Sequence, residues 1–362
     1  LGGGGYEYSG SGAHGLFGQP SNVLRPGHWR MAADILRFFR EAPSLLAATS
    51  DDDPSSQSLG DWLSARRYSR DFVERHILPM GAAIWSTPSR GILDFPAAAF
   101  ARFFANHGLL QVRNRPEWRT VDGGSREYVA RLMAGYRGRT VSGDPVVSVA
   151  RSGAGLAVRR ESGASEHFDR CLIACHADDA LALLDNAGAD ERRLLGAFRY
   201  TDNLAVLHRD PRQMPRRRRL WSSWNYIGGP GGELTVSYWM NRLQPLRTVT
   251  DHFVTLNPGA EIPPSETIAT FAYRHPMYDG AAIAAQARLW SLQGHGGVWF
   301  AGSYFGWGFH EDGLQAGLAA AEDMSASGPG TAVRRPWSVS GQSGRITAGN
   351  RSEVTIAAGA AA

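Results

Sequence analysis

The stretch that most constrains the fold runs Val298-Trp-Phe-Ala-Gly302, then Ser-Tyr-Phe-Gly-Trp-Gly-Phe-His-Glu-Asp312, then Gly-Leu-Gln-Ala-Gly-Leu-Ala-Ala-Ala-Glu322. An unbroken apolar run ending in glycine reads as a buried strand. The glycine-broken aromatic segment after it is a loop whose backbone can approach a ligand, and the segment from Asp312 reads as a helix. Glycines at 313 and 317, with alanines at 316, 319, 320 and 321, allow that helix to lie close against a sheet. Strand, loop and helix in this order aim first-turn amides and the positive end of the helix dipole outward, an arrangement suited to a partly negative ring edge.

Upstream, the hydrophobic period divides the chain. Trp29, Ile35, Leu36, Phe38, Phe39, Leu45 and Leu46 recur at helical spacing. Further helices are predicted over 58–66, 69–86 and 95–107, with turn signals at Pro88, Gly91 and Gly108. After a helix at 125–135 the pattern alternates. Strands at 146–149, 156–160 and 168–174 form a meander, helices follow at 177–184 and 191–198, and strands at 203–208, 234–240, 253–256 and 267–273 form a second sheet. An alanine-rich helix spans 280–292. Past Ser325 the composition loses its period and predicts a disordered tail over 325–362.

Bulk properties exclude several classes. At 362 residues with 43% hydrophobic content, the chain can bury a large core in two interleaved domains. It carries no long apolar run and no leader pattern at its start, so a soluble, cytoplasmic protein is expected. Cys171 and Cys175 are the sole cysteines, too few for a disulfide framework or a thiol-based metal site. The net charge of +4 includes one dense run, Arg216 to Arg219, read as a solvated loop after Pro211 and Pro215. Nucleic-acid binding would require a basic stripe with interleaved aromatics, which is missing. A literal G-x-G-x-x-G spans Gly10 to Gly15, but the short strand expected at Tyr6-Glu7-Tyr8 is polar, and Pro20 and Pro26 prevent an immediate long helix. These glycines read as a loop, and the opening residues as a cut end.

The segment ending in Phe-Ala-Gly302 resembles the C-terminal cofactor motif of the flavin-containing amine oxidoreductase superfamily. More narrowly, the chain is similar to NAD/FAD-binding oxidoreductases encoded beside cyclopropane-fatty-acyl-phospholipid synthase. Ile35 to Pro43, Ile173 to Asp178, Leu207 to Asp210, Trp221 to Tyr226, Tyr238 to Gln244, Phe253 to Pro258 and His275-Pro carry that likeness. The resemblance implies FAD and a mixed α/β fold, with a Rossmann-like FAD-binding domain, incomplete at its N-terminus, interleaved with a helix-plus-sheet substrate domain. Residues 1–22 would connect, 23–120 and 197–285 would form the substrate domain, and 121–196 with 286–324 the FAD-binding domain. Gly302 and Ser303 would lie by the pyrophosphate and ribityl chain. Glu311, Asp312, Gly313 and Leu314 would present amides to flavin N1 and O2, Val147 would meet the adenine, and Ala174 would sit where the meander rejoins the main sheet. One departure is Ser303-Tyr304, where many members carry a carboxylate after the glycine; Glu311 or Asp312 would then substitute.

Aromatics crowd the expected substrate side: Trp221, Trp224, Tyr226, Tyr238, Trp239, Tyr304, Phe305, Trp307 and Phe309. They would exclude water from a hydride-transfer step and favour a small apolar substrate, an amine or a fatty-acyl chain. Tyr304, Trp307 and His310 lie nearest the motif and are the candidate catalytic residues, with His275 a second candidate proton carrier. No metal site is expected, because His107, His167, His176 and His208 lack ligand spacing. The rival reading is a truncated, inactive fragment or an apolar lipid-binding module with peripheral lipid contact. Composition leaves the oligomeric state open. Cys175-His176 invites a nucleophile–base reading, yet neighbours at a strand end point to opposite sides. Cys175→Ala should therefore leave turnover unchanged, and a variant without activity would restore thiol catalysis.

Overall fold

The computed structural model describes residues 5–10, 12–48, 57–85, 89–112, 119–153, 155–228 and 234–325. The expected tail beyond Ser325 lies outside them.

A helical layer comes first. Pro26 opens α1 (Pro26–Glu41) with its φ already set for a helix, and the helix buries Met31 and Phe38. Ser58 caps α2 (Leu59–Ala65) by accepting from the Asp61 amide at 3.1 Å. The helical run over 70–85, α3, contains a π turn at Val73–Ile77. Pro79 within it has no N–H to offer the Arg75 carbonyl one turn back. The Tyr8 hydroxyl donates to that carbonyl instead, at 2.7 Å. α4 (Ala97–Asn106) completes the layer. Its centre is Phe38, 1% exposed, with the rings of Trp62, Tyr68, Phe72, Phe100 and Phe104 all within 6.4 Å. Tyr6 to Tyr8 is not a strand, and Gly12–Leu16 is a single short helix.

α5 (Ser125–Gly135) buries no residue. β1 (Val146–Ser152), β2 (Gly155–Arg160) and β3 (Ser165–Phe168) form the expected antiparallel meander. The run expected as one strand over 168–174 is divided. β3 ends at Phe168, and β4 (Cys171–Ile173) leaves the meander to pair in parallel with β10 (Val298–Phe300). α6 (Ala177–Leu183) and α7 (Ala189–Leu195) follow β4.

The second sheet has five antiparallel strands in the order β6-β7-β8-β5-β9: β5 (Arg199–His208), β6 (Trp224–Gly228), β7 (Leu234–Trp239), β8 (Phe253–Leu256) and β9 (Thr267–Met277). β6 was not anticipated, because five residues ending at Gly228 are too few for an alternation to stand out. The last turns of α3 pack on β6, β7 and β9. α8 (Gly280–Leu289) leads to β10, and α9 (His310–Ser325) ends the described chain. One continuous core runs from Phe38 through Ile173, Ala282 and Phe300 to Ala320, joining the helical layer to the parallel strands.

Register sorts the sheet's side chains into two faces, since neighbours along a strand point oppositely. Trp224 faces Tyr238, and Tyr226 faces Val236. Together with Leu207 and Val254, opposite one another, they form one face. The other carries Trp239, which packs with Trp221, Phe253 and Met214 in a separate small cluster. It also carries a fully buried chain in which His208 Nε2 meets Thr255 Oγ1 at 2.7 Å and Thr255 meets Ser237 Oγ at 2.8 Å. His208 Nδ1 accepts from the Asp210 amide, so Nε2 carries the proton.

Burial holds the His208 pKa below its ordinary value, partly opposed by the Asp210 carboxylate. The unfolded chain therefore takes up the proton first as pH falls, so this contribution to stability is complete above the unfolded-state pKa of about 6.5 and declines below it. His208→Gln should cost roughly 1–3 kcal/mol at pH 7.5 in denaturant unfolding. The gap to the parent should narrow at pH 5; a gap independent of pH would refute the argument.

Candidate functional site

β4 and β10 run in parallel, so their carboxyl ends lie side by side, where open α/β sheets bind ligands. A cleft of about 410 Å³ opens there, lined by Ala174, Cys175, His176, Asp179, Gly302, Ser303 and Tyr304. Three of the expected cofactor positions, Ala174, Gly302 and Ser303, thus meet in one place with Tyr304, a candidate catalytic residue. The cleft-lining Asp179 was not singled out from the sequence. Its legible signal was position: it follows an apolar strand end at the start of a helix.

Gly302 is extended, and its missing side chain matters. A Cβ there would stand 2.5 Å from the Tyr304 ring and 3.3 Å from the Cys175 carbonyl oxygen. The amides of Gly302, Ser303 and Tyr304 find no acceptor among the described residues. Consecutive unpaired amides at a turn form an anion-binding concavity. A glycine cradle with three such donors fits the chemistry of the pyrophosphate and ribityl stretch that the sequence resemblance implies, which Gly302, Ser303 and Tyr304 would then hold.

The loop after the cradle is pinned internally. Gln286 Nε2, 6% exposed as a residue, donates to the carbonyls of Tyr304 at 2.9 Å and Gly306 at 2.6 Å. The Tyr278 hydroxyl donates to the Ser303 carbonyl at 3.4 Å. Asp312, 4% exposed, turns its carboxylate back so that Oδ2 accepts from the amides of Trp307 and Phe309, both at 3.0 Å. It occupies the first turn of α9, where negative charge is favoured by the helix dipole. Its carboxylate is therefore committed within the protein and not directed to a ribityl chain.

Of the remaining predicted residues, Gly313 lies beside the cradle, where a Cβ on it would stand 3.8 Å from the Ser303 amide nitrogen. Glu311 is exposed, Gly313 half-buried and Leu314 53% exposed on α9. Val147 is exposed on β1 and is not among the residues that line the cleft. His310 is exposed at the first position of α9, its ring 6.4 Å from that of Tyr128. Trp307 is half-buried against the main core, and Phe309 stacks on Phe103 at 5.3 Å.

On the other wall, Arg274 of β9 pairs with both Asp178 and Asp179, tying the second sheet to the start of α6. His176 stacks on Tyr200 at 4.5 Å, and the Tyr200 hydroxyl accepts from the Ala177 amide. His176, Asp178 and Asp179 could converge on a cation, but the Arg274 guanidinium already neutralises the two carboxylates. Burial, aided by Asp179, pushes the Cys175 thiol up to about 11, so it is no thiolate nucleophile at neutral pH. Burial beside His176 lowers the His275 pKa, and its Nδ1 has no partner among the described residues.

The family model for flavin-containing amine oxidoreductases matches residues 24–325. No curated protein matches the chain in sequence. Among solved structures, putrescine oxidase bound to putrescine is similar at a TM-score of 0.59 and 14% identity, over 82% of this chain and 76% of that one. Cyclohexylamine oxidase from Brevibacterium oxydans IH-35A gives 0.57 and 15%, over 81% and 74%. A CLA-producing fatty acid isomerase from P. acnes gives 0.53 and 11%, over 80% and 73%. At identities this low, the structural likeness shows a common fold alone.

Asp312→Ala removes the acceptor for two loop amides and should cost about 1–3 kcal/mol, like the loss of a helix cap. Thermal unfolding of the variant should show a lower midpoint and weaker FAD retention. An unchanged midpoint would mean that the carboxylate does not hold the loop.

Proposed function

Because the chain belongs to the flavin-containing amine oxidoreductase family, we propose that this FAD-dependent oxidoreductase oxidises a small apolar substrate at a C–H bond beside the cleft. The observation that carries the reading is the cradle of unpaired amides at the paired ends of β4 and β10. Bound FAD supplies a hydride acceptor. In the proposed division, residues 121–196 and 286–324 hold the cofactor, and residues 23–120 and 197–285 shape the substrate side.

Trp224, Tyr226, Tyr238, Leu207 and Val254 share one sheet face, which supports an apolar substrate. Burial raises the Tyr226 pKa to about 12 and lifts that of Tyr238, so both hydroxyls stay neutral there. Trp307 would wall the reacting edge against water, and His310, exposed at the helix start, would carry a proton to or from solvent. The substrate class divides between amines and fatty-acyl chains. The apolar face suits the hydrocarbon part of either.

The purified protein, titrated with FAD, should become yellow and bleach anaerobically when given its substrate. A series of primary amines with lengthening chains, run beside free fatty acids, identifies the class by which compounds bleach it. Failure to retain FAD would overturn the reading. Retention with bleaching by dithionite but by neither series would overturn the substrate assignment alone.

A further inference from the structure

We propose that the Tyr304 hydroxyl is a cofactor-anchoring donor, held without a partner at the cleft until bound FAD accepts its hydrogen bond. The inference rests on the flavoprotein reading and adds a specific side-chain contact to it. Tyr304 is 2% exposed, and its hydroxyl oxygen is buried with no hydrogen-bond partner among the described residues. Tyr304 is one of the residues that line the cleft, and its ring lies against Gly302 so closely that only a glycine fits there.

Packing does not account for the hydroxyl. Phe198 and Phe305 surround the ring at 5.4 and 5.0 Å. A phenylalanine would make those contacts without burying an unpaired polar group, a situation folded proteins rarely tolerate. Asn22, His28 and His275 also hold an unpaired buried atom, but none of them lines the cleft. The same residue also contributes one of the three open amides of the cradle, so its backbone and side chain converge on one ligand. Burial, with Tyr200 and Cys175 close by, holds the phenol well above its ordinary pKa, keeping it a neutral donor. The backbone is set independently of the ring, because Gln286 fixes the Tyr304 carbonyl.

Tyr304→Phe separates this role from a structural one, because the two predict opposite shifts. Without ligand, the variant should melt about 2–4 °C higher, since the unpaired group is gone. Its FAD dissociation constant, read by quenching of flavin fluorescence, should rise about tenfold, equivalent to ~1.4 kcal/mol. FAD should accordingly raise its melting temperature less than it raises that of the parent. If the parent binds FAD and the variant binds it equally well, or if the ligand-free variant melts lower, this inference fails while the flavoprotein reading stands. If the parent itself does not bind FAD, both fail.

Discussion

Two three-residue strands, Cys171–Ile173 and Val298–Phe300, meet in parallel, and the position of the site depends on that contact. The ladder continues past both strands: the Cys171 amide donates to Gly297 and the Ala301 amide to Ile173. Parallel strands need long crossovers, and here the crossover from β4 to β10 contains the whole second sheet. Both strands are thereby oriented alike, so the segments leaving them, 174–179 and 302–304, open at the same edge. Antiparallel pairing would have placed them at opposite ends, and no cleft would exist.

Around this contact the protein holds the backbone tightly. Gln286, Tyr278 and Asp312 each fix part of the loop from Ser303 to Phe309. Arg274 bridges the second sheet to the first turn of α6. Gln286, Tyr278 and Asp312 are buried, where the surrounding core lowers the local dielectric, so each of their contacts is stronger than it would be in water. A loop positioned this way can present amides to a ligand without reorganising. The Tyr304 hydroxyl, unpaired among the described residues, stands out against the engaged side chains of Gln286, Tyr278 and Asp312.

Much of the architecture was legible because burial imposes a period. The helix over 125–135 and the strand over 253–256 match the structure to the residue, the helix expected over 58–66 overshoots by one residue at each end, and that over 177–184 by one at its C-terminus. The division at Asp169 and Arg170 was not legible, since an apolar run does not reveal which sheet it joins. Nor was the splitting of the tryptophans: Trp224 and Trp239 are alike in composition but lie on opposite faces, because register, not residue type, sets the side.

The sequence by itself carried the family resemblance, in its ordered motifs, and the strand–loop–helix pattern around Gly302 with Tyr304 beside it, because contiguous residues carry those signals. It could not determine which neighbours Asp312, Arg274 and Gln286 would engage, since those partners come from distant segments. Tertiary structure decided that Asp312 would serve its own loop, that Arg274 would take both acidic residues at the start of α6, and that the Tyr304 hydroxyl would be buried with no partner among the described residues. The physical reason is that a polar side chain's role follows from which groups lose water beside it, and only the folded chain specifies that.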